Sequence, residues 1–328
     1  MSWYGQAAHG QLDLLCRREP IVDLIHDTST DPELRRRLTT VLEIRDFASE
    51  HLGLPDSRSY AHYADLERDA AVWNVIATGR FDMQPVTWCY PIVGCLAYRA
   101  YFNRDRAMSH AERLDRAGHD AIVSPAIAYS TLGWFADPVL NTMLAWDDAR
   151  LAGFLFHELT HEKLFVPGDT PFNEAYATVV EREGVRRWLT DRGELAMLER
   201  WQRDQRERSA LVEVLLDARQ ALIELYALEL PTETMRLRKQ EVFNDLRIDI
   251  RELGERYQTD RFSDWLAHDL NNAHLVHVAT YEAGTAAFEE LLQACERDLA
   301  CFHDRVAELA TQSRDRRHDF LHQKPDDD

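Results

Sequence analysis

Residues 149–184 read ARLAGFLFHELTHEKLFVPGDTPFNEAYATVVEREG, and the rest of the chain is best read outward from them. At their centre stands His157-Glu158-Leu159-Thr160-His161, an HExxH pattern. Positions i and i+4 lie one turn apart on the same helix face, so both imidazoles can reach one metal ion. Glu158 projects to the side, where its carboxylate meets a water in the remaining coordination position rather than the metal itself. Hydrolytic zinc sites need three protein ligands and one open position. With this His and Glu content about 0.05 such matches arise by chance, so the context has to carry weight. Leu151, Phe154, Leu155, Phe156, Leu159, Leu164 and Phe165 surround the motif with apolar groups and predict a buried helix. Buried polar groups without partners cost of order 2–7 kcal/mol, and a metal ion supplies the partner. The plain alternative is two core histidines bonded to carbonyls.

The third ligand is expected from a second helix packed on the first. A connection containing Pro167 and Gly168 is followed by Thr170, a helix cap, with Pro171 at the first helical position. Phe172-Asn173-Glu174-Ala175-Tyr176-Ala177 comes next, placing Glu174 in the first turns, close to the bend that returns it to His157 and His161. Glu181 lies seven residues on and shares that face, as a supporting group or as the ligand itself. Asn173 is a further supporting candidate, and Asp169 and the pair His274/His277 are alternative ligands.

Further out, residues 31–52 predict a helix capped by Asp31, opened by Pro32 and ended by Gly53. Residues 71–134 carry short runs rich in Val, Ile, Trp and Tyr between Gly and Pro, which predict a small sheet with a helix near 105–117. From about residue 146 the pattern is nearly all helical. Leu211, Leu215, Ala218, Leu222 and Leu225 match Val242, Leu246, Ile250, Leu253 and Tyr257 in four-three spacing, and Pro231 divides them. Two long antiparallel helices joined at Pro231 follow. The expected class is α+β, mostly helical. Four segments are expected: an N-terminal helical segment over 1–70, a core with a small mixed sheet and the metal helices over 71–192, a long helical hairpin over 193–260, and C-terminal helices over 261–328. These last complete the core and end in a tail, RDRRHDFLHQKPDDD, expected to fray.

A net charge of −19 argues against nucleic acid or an anionic membrane surface as the main partner. No stretch is long and apolar enough to span a bilayer, so no integral membrane segment is expected. Cys16, Cys89, Cys95, Cys295 and Cys301 are odd in number and scattered, so free buried thiols are expected, with a Cys89–Cys95 bridge across a short loop as the alternative.

The segments WCYPIVGCLAYRAYF, AYSTLGWFADPVLNTML, FHELTHEKLF, DTPFNEAYATVVEREGVRRWL and LNNAHL resemble, from about Tyr4 into the 300s, a bacterial family of predicted aminopeptidases. Asn-Glu-Ala after HExxH is similar to the gluzincin metallopeptidases, where the glutamate of that helix is the third zinc ligand. The resemblance implies a zincin-like core, one Zn2+ per chain on His157, His161 and Glu174, and Glu158 as base. It also implies an export or lipoprotein signal ahead of the common region, hence a periplasmic or envelope-attached protein; otherwise the compartment would be the cytoplasm.

Peptide hydrolysis by such a site also needs a donor for the tetrahedral oxyanion. Tyr129 and Tyr281 are the candidates. Residues 129–134 could form a sheet edge for an extended peptide, with Gly133 leaving room for its main chain. Glu181, Glu183 and Asp137 could hold a substrate ammonium. Asn271 and Asn272 either line the cleft or cap their helix. Two other readings stay open: a zinc hydrolase of a non-peptide amide, and a non-catalytic, metal-stabilised binding or scaffold protein that uses the helical arm.

Overall fold

The computed structural model describes residues 3–90, 94–128, 136–276 and 284–322. It is mostly helical with small sheets, an α+β arrangement. The chain divides into two units, one of Met1–Ala71, Ala126–Glu199 and Tyr281–Asp328, the other of Val72–Pro125 and Arg200–Thr280. The segment 71–192, expected as a single core, is therefore shared between them.

In the first unit, helix Pro32–His51 forms as its end signals predict. The Asp31 carboxylate accepts the N–H groups of Glu33 and Leu34 at 2.9 and 3.0 Å, and Gly53 beyond it takes φ +65°. Its Leu38, Val41 and Ile44 are fully buried. From the same helix Arg37 grips the chain ahead of the motif: it donates to the Leu144 and Trp146 carbonyls at 3.2 and 2.6 Å and pairs with Asp148. That fixes the start of the HExxH helix, Asp148–Lys163, which Asp147 caps by accepting the Arg150 N–H at 2.8 Å. A three-stranded sheet of Glu19–Pro20, His62–Ala64 and Val139–Leu140 lies in this unit, antiparallel then parallel.

The helix that faces the HExxH helix is Thr170–Asp191, with Asp169 rather than Thr170 at its cap position. Two glycines let it lie close against the first. A Cβ on Gly184 would fall 2.6 Å from Phe156 and 2.8 Å from Leu52, nearer than real Cβ atoms come. A Cβ on Gly153 would meet the Glu181 side chain at 3.3 Å. Helices Thr285–Ala294, Leu299–Ala310 and Arg314–Leu321 cover this pair. Their contact is aromatic: Phe288 packs edge-on to Phe172 and to Phe320, both at 5.1 Å, and Tyr176 lies 5.8 Å from Phe302. The expected fraying of the tail does not hold for residues 314–321. Ser313 caps that helix, and Arg317 and Leu321 are buried.

In the second unit, strands Val72–Gly79, Arg99–Tyr101 and His119–Ala126 form a sheet with Val72–Gly79 in the middle, and Trp88–Tyr90 pairs with Gly94–Leu96. Helix Arg104–Arg116 falls where the sequence places it. The expected hairpin is here too, as Leu195–Tyr226 and Thr232–Tyr257, with Pro231 at the position just before the second helix. Leu211, Leu215, Leu222, Phe243, Leu246, Ile250 and Leu253 form its apolar seam.

The cysteines depart from the expectation of free thiols. Cys89 pairs with Cys95 and Cys295 with Cys301, and Cys16 is free and exposed. Cys89 and Cys95 sit directly opposite one another in a two-stranded ladder, a placement that spacing alone does not reveal. No helix among the described residues is long and apolar enough to cross a membrane.

Candidate metal centre

His157 and His161 project one turn apart from the HExxH helix, with ring centroids 4.8 Å apart. Glu174 comes from the first turns of the facing helix, and one of its oxygens lies 3.2 Å from His157 Nε2 while the other lies 3.6 Å from His161 Nε2. The ligating atoms of these three residues all fall within 4.8 Å of one another. Donors at the usual ~2.0–2.2 Å from a tetrahedral zinc stand about 3.3–3.5 Å apart, so the trio is nearly at coordination spacing.

Glu181 completes the first imidazole. Its carboxylate sits 3.1 Å from His157 Nδ1, where it accepts an Nδ1–H and orients the ring with Nε2 facing Glu174. Gly153, one turn before His157, is what allows that carboxylate to lie against the helix. Glu158 is half-buried on the same helix.

The groups of the cluster are shifted in opposite directions. Burial alone would lower the His157 imidazole, but its hydrogen bonds to Glu174 and then Glu181 outweigh burial and push it up to about 10. Burial would raise Glu174, and the His157 contact instead holds it below the usual carboxylate range. His161 goes the other way: burial, then the neighbouring His157 charge, lowers it to about 4. Its side chain is 4% exposed, its Nδ1 is buried with no partner among the described residues, and 3.6 Å from Nε2 to Glu174 is too long for a hydrogen bond. A neutral imidazole so placed is under-satisfied, at about 1–3 kcal/mol for such a group. A divalent ion bonded to Nε2 is the partner this donor set fits.

A family model described as "Putative aminopeptidase" matches residues 2–321. The chain belongs to that family. Membership over nearly the whole length supports a peptidase function. No curated protein and no solved structure matches the chain.

Other residues singled out from sequence fall differently. Asn173 is buried, and its side-chain amide accepts the Val166 N–H at 2.8 Å and donates to the Val166 carbonyl at 2.9 Å. It ties the connecting loop to the first turn of the Glu174 helix. Asp169 is engaged by Arg317 at 2.7 Å rather than by the histidines. Glu183, considered for a substrate ammonium, is 1% exposed and surrounded by Arg186, Arg187 and Arg297. Burial would raise its carboxyl, but those three guanidiniums hold it down to about 2. Permanently charged arginines leave it no role with an amine. Asp137 is buried, with its carbonyl accepting the Tyr60 N–H.

Asn271 and Asn272 belong to the second unit. Asn272 is wholly buried, donating to the Gly79, Arg80 and Asp82 carbonyls and accepting the Tyr226 hydroxyl, so it braces backbone. Asn271 accepts the Ala273 N–H and contacts His274, a cap for the turn over 272–276. His274 is thereby engaged within its own unit. Tyr129, Gly133, His277 and Tyr281 lie outside the described residues. The supporting residues not anticipated are Arg37, Gly153, Gly184 and Arg317. Of these only the glycines carry a local signal, being glycines inside helices.

Proposed function

We propose that the protein is a zinc-dependent peptidase of zincin-like type, probing the ends of peptides as an aminopeptidase. The observation that carries the reading is the convergence of His157, His161 and Glu174 from two helices within 4.8 Å. His157, His161 and Glu174 would hold the ion. When bound, zinc in such a set supplies Lewis-acid polarisation of a carbonyl and lowers the pKa of water towards neutrality.

The chain's own residues do the rest. Glu181 holds the His157 ring in the tautomer that offers Nε2. Glu158 takes the proton of the attacking water and delivers it to the leaving amine, work worth typically 10²–10⁴-fold. Tyr129 or Tyr281 would supply the donor to the tetrahedral oxyanion. Two disulfides suit an oxidising compartment, in keeping with a periplasmic or envelope location.

The test is chelation and restoration on a mixed peptide library. Activity lost on metal removal and regained with one zinc per chain supports the reading, and single residues released from free N-termini identify an aminopeptidase. Internal cleavage would replace the exopeptidase part. Hydrolysis unaffected by chelation would sink the metal assignment.

A further inference from the structure

We propose that Arg317, in the last described helix, is a positioning residue for the third metal ligand, keeping Glu174 in register through Asp169. The inference rests on the metal reading above and adds to it a part played by the C-terminal helix.

Asp169 occupies the cap position of the Glu174 helix, five residues before the ligand. A cap aspartate ordinarily accepts an N–H from the first turn, worth about 1 kcal/mol. This one makes no such bond. Its carboxylate turns instead to Arg317, 148 residues away in sequence, whose Nε donates to it at 2.7 Å. The two side chains are only 10% and 9% exposed. Local helix capping is given up for a buried long-range pair, which a helix needing only stability does not require. Buried ion pairs add little net stability, and setting geometry is their better-attested use.

The guanidinium is itself held. Arg317 donates to the Gln312 carbonyl and lies 5.7 Å over the ring of Phe172, two residues before Glu174. Phe172 packs on Phe288, and Phe288 on Phe320 of the Arg317 helix, each at 5.1 Å. A Cβ on Gly284 would fall 2.5 Å from Leu321, so that helix is closely seated at its far end as well. Asn173 pins the loop at Val166 from within, and Arg317 pins it at Asp169 from outside. Between these two fixings the chain enters the turn that carries Glu174.

The experiment measures zinc affinity, by competition with a chromophoric chelator, and thermal melting of the metal-free protein. It uses wild type, R317K, R317M and the double variant D169N/R317M. Positioning predicts that R317M weakens zinc about 10–100-fold, the range for residues that orient ligands, and that R317K weakens it less. In the double variant both charges are gone, so stability returns towards wild type while zinc remains at least tenfold weaker. A double variant that melts like wild type and binds zinc within twofold of it overturns the proposal. So does R317M that melts lower yet binds zinc normally. Should R317M and the double variant both fail to fold, R317K decides, and wild-type zinc affinity in it overturns the proposal. Wild type that binds no divalent ion overturns the metal reading and this inference together. Wild type that binds zinc but cleaves nothing overturns the catalytic reading alone.

Discussion

The two units each bury a polar cluster, and the clusters differ in whether they are closed. In the second unit Lys239 reaches the Arg80 carbonyl and Asp120, Asp120 accepts the Asn272 N–H, and the Asn272 amide is used at both ends. Burial lowers Lys239, and the Asp120 contact opposes that. In the first unit the cluster of His157, His161, Glu174 and Glu181 leaves His161 Nδ1 orphaned and crowds two carboxylates onto one imidazole. A closed network holds backbone in place; an open one leaves polar atoms for a further partner, which on the proposed reading is a metal ion.

The contrast can be broken at several points. Glu181→Gln keeps the shape but weakens the acceptor for His157 Nδ1, and zinc affinity should fall about 10–100-fold by chelator competition. Unchanged affinity would mean that His157 needs no such orientation. Asn272→Ala should act on stability instead. It removes the buried amide that bonds the Gly79, Arg80 and Asp82 carbonyls and the Tyr226 hydroxyl, a loss of about 1–3 kcal/mol in denaturant unfolding, with zinc content unaltered. Lost zinc in a folded N272A protein would erase the distinction between the clusters.

A further effect concerns pH. In the first unit the Tyr176 hydroxyl donates to His303 Nδ1 at 2.7 Å, and His303 Nε2–H donates to the Leu52 carbonyl at 2.9 Å, so the ring is neutral. Burial lowers its pKa from 6.5 to about 4. Between those values the unfolded chain takes up a proton that the folded one refuses, so stability falls as pH falls, by at most about 1.4 kcal/mol per unit. His303→Gln should flatten the stability curve between pH 6.5 and 4. An unchanged slope would place the acid sensitivity elsewhere.

Much of both units is legible because the signals are local. The HExxH spacing, the Asp31-Pro32 start and the Pro231 break each act within a few residues, and each element forms where they point. What stays hidden depends on distant partners. The Arg314–Leu321 helix buries Arg317 and Leu321 and packs Phe320 on Phe288, and burial of an arginine makes sense only beside Asp169. The same holds for Asn272, whose acceptors come from a strand end almost two hundred positions earlier. Cys295 and Cys301 share the six-residue spacing of Cys89 and Cys95, yet one pair bridges a turn between helices and the other a ladder. The division of residues 71–192 between two units is likewise a matter of long-range contact rather than composition.

The most direct measurement is zinc content and peptide hydrolysis on wild type and Glu158→Gln side by side. The account predicts one zinc in each protein and cleavage by wild type that falls about 10²–10⁴-fold in the variant. Zinc in both with equal cleavage, or with none in either, would contradict it.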